Sequence, residues 1–230
     1  MIQVVYSPKW FYGKDIIIDS ISLFVLLLIA FFSFKYFKIK RNKNHIYLGF
    51  SFCLIALSFL FKILTNFTVY YNVLETHSFG LATLTYQTTK VSEILFYIGF
   101  LVYRLLMLIG LYMLYSIYVK QPKSNILLVV FFILVSTYFS QSADYIFHLT
   151  ALFLLALITV HYCKNYFNTK NKSTKILASS FGIITSSHLF SMLANISTRF
   201  YVIAEIIQLV GFGVLLISFL MVLSYGRKKD

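Results

Sequence analysis

Glu93, Arg104, His148, His188 and Glu205, with Gln208 one turn beyond Glu205, are polar or ionisable residues set inside long apolar runs. An ionisable group at membrane depth is costly and marks a functional site by default. Carboxylates and imidazoles together can bind a divalent cation or relay a proton. No two histidines share a helix at ligand spacing, so no metal is assigned. Asp15/Asp19 and Asp144/His148 are each four residues apart, which puts each pair on one helix face. The expectation is an outward-facing polar site formed by Glu93, Arg104, His148, His188 and Glu205, with Gln208 below. A plainer alternative stands beside it. Glu93 and Glu205 would occupy first turns of their helices, where a carboxylate meets the dipole and free amides, and Arg104 would pair with one of them. There is no nucleophile–base pair, paired-aspartate motif or phosphate-binding loop, so no enzyme and no cofactor is expected.

The elements that carry these residues are apolar runs of about 20 residues, each long enough to cross a bilayer as a helix. The chain is 60% hydrophobic and 12% charged over 230 residues, which leaves no room for a soluble domain. Helices are expected near 16–37, 46–65, 92–118, 124–140, 143–162, 176–195 and 200–224. The fold class is therefore an all-α polytopic membrane protein, a single bundle over 1–230 with seven transmembrane helices.

Two stretches repeat each other. Residues 15–68 fall on 144–197 without a gap at an offset of 129, with about 19 of 54 positions identical. Asp15 meets Asp144, Leu23-Phe24 meets Leu152-Phe153, Asn42-Lys43 meets Asn171-Lys172, and Asp19 meets His148. The match resumes where Glu93 answers Glu205 and Gly99 answers Gly211, now at an offset of 112. The first half would then carry an insertion of 129 − 112 = 17 residues. Such a repeat implies a duplicated bundle: a first unit over 15–118, a linker helix within 119–142 and a second unit over 143–226. With one linker helix both units start on the same side, a parallel 3+1+3 arrangement.

Basic residues set the orientation. Lys35, Lys38, Lys40, Arg41 and Lys43 follow the first helix; Lys120 and Lys123 the third; Lys164, Lys170, Lys172 and Lys175 the fifth; Arg227, Lys228 and Lys229 the seventh. The positive-inside rule makes that face cytoplasmic, with the N-terminus outside, in a multi-pass protein of the cell membrane. The net charge of +13 then reads as topology and contact with anionic lipid, not nucleic-acid binding. No cleavable signal peptide is expected, because the basic cluster follows the first helix. Cys53 and Cys163 imply no disulfide framework.

Other features have local readings. Gly99 and Gly211 suit close helix contact. Ser179, Ser180, Gly182, Thr185, Ser186, Ser187 and Ser191 mean either packing with back-bonded hydroxyls or a hydrated cavity. Tyr6, Trp10, Phe11 and Tyr12 suggest an outer interfacial anchor, and Tyr36, Phe37, Tyr162, Tyr166 and Phe167 an inner belt. Segment 69–90, with Leu74, Glu75, His77, Phe79, Leu81 and Leu84, suggests a lid helix or a disordered loop. Asn66-Phe-Thr68 and Asn195-Ile-Ser197 are glycosylation patterns or helix caps.

Seven helices in a three-one-three duplication resemble the PQ-loop sugar-efflux transporters and, more loosely, the rhodopsins. The former carry hinge prolines inside the first and fifth helices, whereas the prolines here are Pro8 and Pro122. Microbial rhodopsins need a lysine in the seventh helix, and none lies between Tyr201 and Tyr225. The basic first loop, Leu48-Gly-Phe-x-Phe-x-Leu-Ile-Ala-Leu-Ser58 and Glu205-Ile-Ile-Gln208-Leu-Val-Gly211-Phe212 resemble the seven-helix regions at the N-termini of sensor histidine kinases. Similar stand-alone proteins occur in archaea. This resemblance implies a sensor, a receptor-like protein or a membrane-complex subunit. It also implies a protein partner in the membrane or at the cytoplasmic face, beside the lipid bilayer. The alternative is a small-solute or ion transporter. No kinase segment is present, so enzymatic output does not carry over.

Overall fold

Seven α-helices follow one another in the order the apolar runs predict. They are α1 (Lys14–Lys40), α2 (Lys43–Ser78), α3 (Ala82–Ser116), α4 (Lys123–Phe139), α5 (Tyr145–Thr169), α6 (Lys172–Met192) and α7 (Thr198–Arg227). The computed structural model describes residues 7–78, 82–119 and 122–227, and the regular elements among them are all helical. Tyr6, Phe79, Leu81, Lys120, Lys228 and Lys229 lie outside the described residues, as do the side chains of Leu74, Glu75, His77, Leu84 and Glu93. Six helices are long and apolar enough to cross a membrane. The seventh, α4, is apolar over the shorter stretch Ser124–Phe139. Its 17 residues reach about 25 Å at 1.5 Å per residue.

Sequential neighbours pack together: α1 on α2, α2 on α3, α5 on α6 and α6 on α7. The chain closes through α1 against α7 and α3 against α5, while α4 rests on α3 and α5. Leu26, Ile29, Phe52, Ile55, Met107 and Ile158 are wholly buried. Large apolar side chains such as Phe24, Leu127, Phe153 and Ile196 point outward. An apolar exterior over a partly polar interior is the arrangement that hydrocarbon solvent favours, because polar groups then find partners inside.

The turns after α1 and α5 are built alike. Arg41 and Lys170 sit in the left-handed region, at φ 49° and 53°, and each amide donates to the carbonyl four residues back. The next residue is asparagine both times. Asn42 Oδ1 accepts from the Asn44 amide at 3.1 Å, and Asn171 Oδ1 from the Ser173 amide at 3.2 Å. This N-cap satisfies a free amide of the following helix. Positive φ ends one helix and the asparagine starts the next, so the reversal takes very few residues.

Several expectations change at the outer end. α2 and α3 run on to Ser78 and from Ala82, so residues 69–78 and 82–90 extend these two helices instead of forming a separate lid or a loop. Glu93 thus falls three turns into α3 and Glu205 two turns into α7, past the reach of a helix terminus. Asn66 is buried within α2, which fits neither a cap nor a glycosylation site, whereas Asn195 is exposed. Phe11 is buried edge-on to Tyr201 instead of lying at the interface, although Trp10 is exposed. Tyr162 leaves the inner belt for the core, where its ring stacks on Phe181. The α6 hydroxyls bond their own backbone: Ser180, Thr185, Ser186, Ser187 and Ser191 each donate to a carbonyl one turn earlier. Among the described residues both cysteines are free.

Candidate functional site

A lysine in the middle of an apolar helix must find an anion or leave the membrane, and Lys62 finds two. Its ammonium donates to Asp19 Oδ1 of α1 at 2.9 Å and to Glu205 Oε1 of α7 at 2.7 Å. It also lies 5.7 Å from the Phe59 ring centre. Lys62 is 6% exposed, Glu205 5% and Asp19 0%, so the trio is inside the bundle. Asp15, one turn before Asp19, is equally buried, and its Oδ1 accepts from the Ile16 amide. Three helices from both ends of the chain therefore meet on one ammonium. Asp19 Oδ2 and Glu205 Oε2 are buried with no hydrogen-bond partner among the described residues. Two carboxylates facing one cation leave the trio one acid in surplus, a costly state in low dielectric.

A second cluster sits at the seam of α3 and α5. Arg104 Nη2 donates to Asp144 Oδ1 at 2.5 Å, and Nη1 donates to the Ser140 carbonyl at 2.9 Å and Oγ at 3.2 Å. The rings of Phe100 and Phe147 flank the guanidinium at 5.3 and 6.0 Å. Burial pushes the Asp144 carboxyl up, but His148 and Arg104 outweigh it and hold the group down at about 2. His148 Nε2 lies 3.3 Å from Asp144 Oδ2. His148 Nδ1 faces His188 Nδ1 of α6 at 3.1 Å.

That last contact has a proton logic. One Nδ1 must donate and the other accept, so both rings cannot be imidazolium at once. With His148 neutral and its Nε2–H on Asp144, His188 donates and its Nε2 becomes an acceptor. A proton added to His148 reverses the bond, and His188 must then carry its hydrogen on Nε2. His188 Nε2 is buried and has no partner among the described residues in either form. The chain Asp144–His148–His188 can thus move one proton equivalent inward from the seam.

Tyr103 on α3 is buried within electrostatic reach of Lys62, Glu205, Asp19 and Asp144, and His188 within reach of Lys62. The two clusters therefore belong to one polar layer.

Arg104, His148 and His188 come together as the sequence suggests. Glu205 faces the interior too, but its partner is Lys62 and not Arg104. Gln208 is buried one turn further along α7, and the Glu93 side chain is outside the described residues. Lys62, Asp19 and Asp144 were missed as members. Lys62 carried the same signal as Arg104, a lone cation within an apolar run, and Asp144 was in view as the i,i−4 partner of His148. Ser140 contributes chiefly its carbonyl, which no residue pattern reveals. Among the described residues no group of three or more His, Cys, Asp or Glu is placed to hold a metal ion. Comparison with protein-family models, with curated proteins and with solved structures finds no match to this chain.

Proposed function

We propose that this chain is a non-enzymatic sensor or receptor-like membrane protein, or a membrane-complex subunit, whose input is the polar layer. The observation that carries this is Lys62 bridging Asp19 and Glu205. One ammonium holds α1, α2 and α7 together across an acid surplus. Gain or loss of one positive charge there changes how these helices pack, which is the requirement for a switch. Asp15 on α1, Tyr103 on α3 and Tyr201 on α7 also face the trio.

The architecture belongs to the same reading: a 3+1+3 duplication with the layer in the outer half, the N-terminus outside and the basic loops cytoplasmic. The matching turns at Arg41 and Lys170, 129 residues apart, support it. So does burial, since Phe24 and Phe153 are 68% and 66% exposed while Ile29 and Ile158 are both wholly buried. Helix contacts revise the offset in the third helix of each unit. A Cβ on Gly110 would fall 2.7 Å from Ile55, and one on Gly211 would fall 2.5 Å from Ile184. Ile55 and Ile184 are 129 apart, so Gly110 answers Gly211 and the offset is 211 − 110 = 101, not 112. Arg104 then answers Glu205, and the insertion becomes 129 − 101 = 28 residues. The seams α3–α5 and α1–α7 become counterparts with the charge inverted. For the loops after α3 and α5 to share a face, α4 must cross as well; its outward Leu127 and Phe131 support that.

A small-solute or ion transporter is the second reading, favoured by the acid surplus and its two unpartnered oxygens. Against it stand helices without an interior proline and a core closed beyond the layer by Phe52, Phe59, Met107 and Phe212. The test uses a Cys53→Ser, Cys163→Ser background with spin labels at Arg41→Cys and Lys170→Cys, in nanodiscs. The inter-label distance is expected to shift between about pH 5 and about pH 8. The shift is expected to vanish in Asp19→Asn and Glu205→Gln. A wild-type distance that does not move, or proton or sodium flux in proteoliposomes that Asp19→Asn abolishes, would overturn the sensor reading.

A further inference from the structure

At the opposite, basic end of the bundle lies a half-open cavity of about 200 Å³, lined by side chains of six helices and the turn after α3. It shares no residue with the polar layer. Its inner wall is apolar, from Phe32, Leu48, Leu177 and Phe219. At roughly 150 Å³ an apolar cavity already accepts benzene, so this one has room for an aromatic ring or a short acyl segment.

Polar groups gather on the remaining wall. Tyr36 of α1 and His45 of α2 are in edge contact at 4.6 Å between ring centres. Tyr118, just past α3, and Tyr162 of α5 share a hydrogen bond between their hydroxyls. Two hydroxyls contain two hydrogens, and their mutual bond uses one. The Ser33 and Ser218 hydroxyls in the same wall already donate, to the Ile29 and Ser173 carbonyls. The wall is therefore left with a phenolic donor and hydroxyl oxygens, which suits a ligand bearing an acceptor oxygen.

Charge settles the kind of acceptor. The lining residues run directly into exposed cations: Tyr36 lies between Lys35 and Lys38, His45 follows Arg41 and Lys43, Tyr162 precedes Lys164, and Leu177 follows Lys175. No acid lies in the loops around that mouth among the described residues. An apolar cavity with a phenolic donor and a collar of lysine and arginine is complementary to one chemical class. We infer that this cavity binds a single-chain anionic amphiphile of the fatty-acid type. Its carboxylate sits at the Tyr118–Tyr162 pair under the basic collar, and the start of its chain lies on Phe32, Leu48 and Phe219.

The probe is cis-parinaric acid, titrated by fluorescence against the full chain in neutral-detergent micelles. Saturable binding of one probe per chain is expected, at least about tenfold tighter than binding of its methyl ester. Leu48→Trp and Ser218→Phe, which fill the cavity from different helices, are each expected to weaken binding at least about tenfold. The double variant Arg41→Glu, Lys43→Glu is expected to weaken the acid and leave the ester unchanged. Unfolding temperature is measured for each, and Tyr118→Phe serves where a filling variant fails to fold. The inference is overturned if binding does not saturate, if ester and acid bind alike, or if folded filling variants bind as the wild type does. Displacement of the probe by an equal mole fraction of phosphatidylglycerol would overturn the single-chain assignment.

Discussion

At the scale of residues, two cations decide what the interior can tolerate. Lys62 and Arg104 each enter the bundle only because carboxylates wait on neighbouring helices, and each neighbour is held by the same contact. Removing one partner of a buried pair leaves an uncompensated charge, which is where such pairs become costly. Asp144 offers the clearest pH test because it lies just before α5. Its folded carboxyl is held at about 2 against an ordinary 3.8. A depressed carboxyl contributes stability above its unfolded value and loses it as pH falls through its folded value. The contribution is about 2 kcal/mol, complete above about pH 4 and lost on the way to about pH 2. Arg104→Leu leaves only His148 beside the carboxylate, so the variant is expected to have a flatter stability profile in that window. Denaturant unfolding across the window measures it. Equal slopes for wild type and variant would mean that Arg104 does not hold Asp144.

At the scale of elements, the helices owe their close approach to glycine at particular points. At Gly110 a Cβ would also come within 3.1 Å of the Ser51 carbonyl oxygen, and a backbone atom cannot step aside as a side chain end can. Gly213, on the same helix as Gly211, has nothing within 4 Å of the corresponding position. Gly110→Val is therefore expected to cost about 1–3 kcal/mol through overpacking of α2 against α3. Gly213→Ala is expected to be neutral or to stabilise by up to about 1 kcal/mol, from helix propensity alone. Thermal unfolding of the two variants in one detergent makes the comparison. If both behave alike, these contacts do not set the spacing of α2 and α3.

At the scale of the whole molecule, the distribution of charge should translate into a direction across the membrane. Single cysteines introduced at Lys38, Asn125, Lys164 and Lys172 in the cysteine-free background are expected to resist an impermeant maleimide added outside intact cells. They should react once the membrane is opened. A cysteine at Trp10, exposed at the other end of the bundle, is expected to react from outside. Labelling of any basic-loop position from outside would reverse the orientation, and would place both the polar layer and the amphiphile cavity on the opposite faces.

What the sequence determined by itself was everything that depends on local composition and periodicity. Seven apolar runs became seven helices because a run of that length in hydrocarbon has no other way to satisfy its backbone. The 129-residue offset was legible because Asn42 and Asn171 repeat, and the structure gives both the same N-cap and the same left-handed residue before it. Arg104, His148 and His188 were legible as a set because lone ionisable groups in apolar runs must seek one another. Pairing was not legible. Whether Arg104 or Lys62 meets Glu205 depends on which helix faces of α2, α3 and α7 turn inward, and on crossings that bring residues 143 positions apart to 2.7 Å. Helix ends at 69–90 were misread because moderately polar residues can extend a helix as readily as leave it. The cavity at the basic end was invisible for the same reason. Its wall takes residues from six helices, so it belongs to no segment and exists only once the helices have packed.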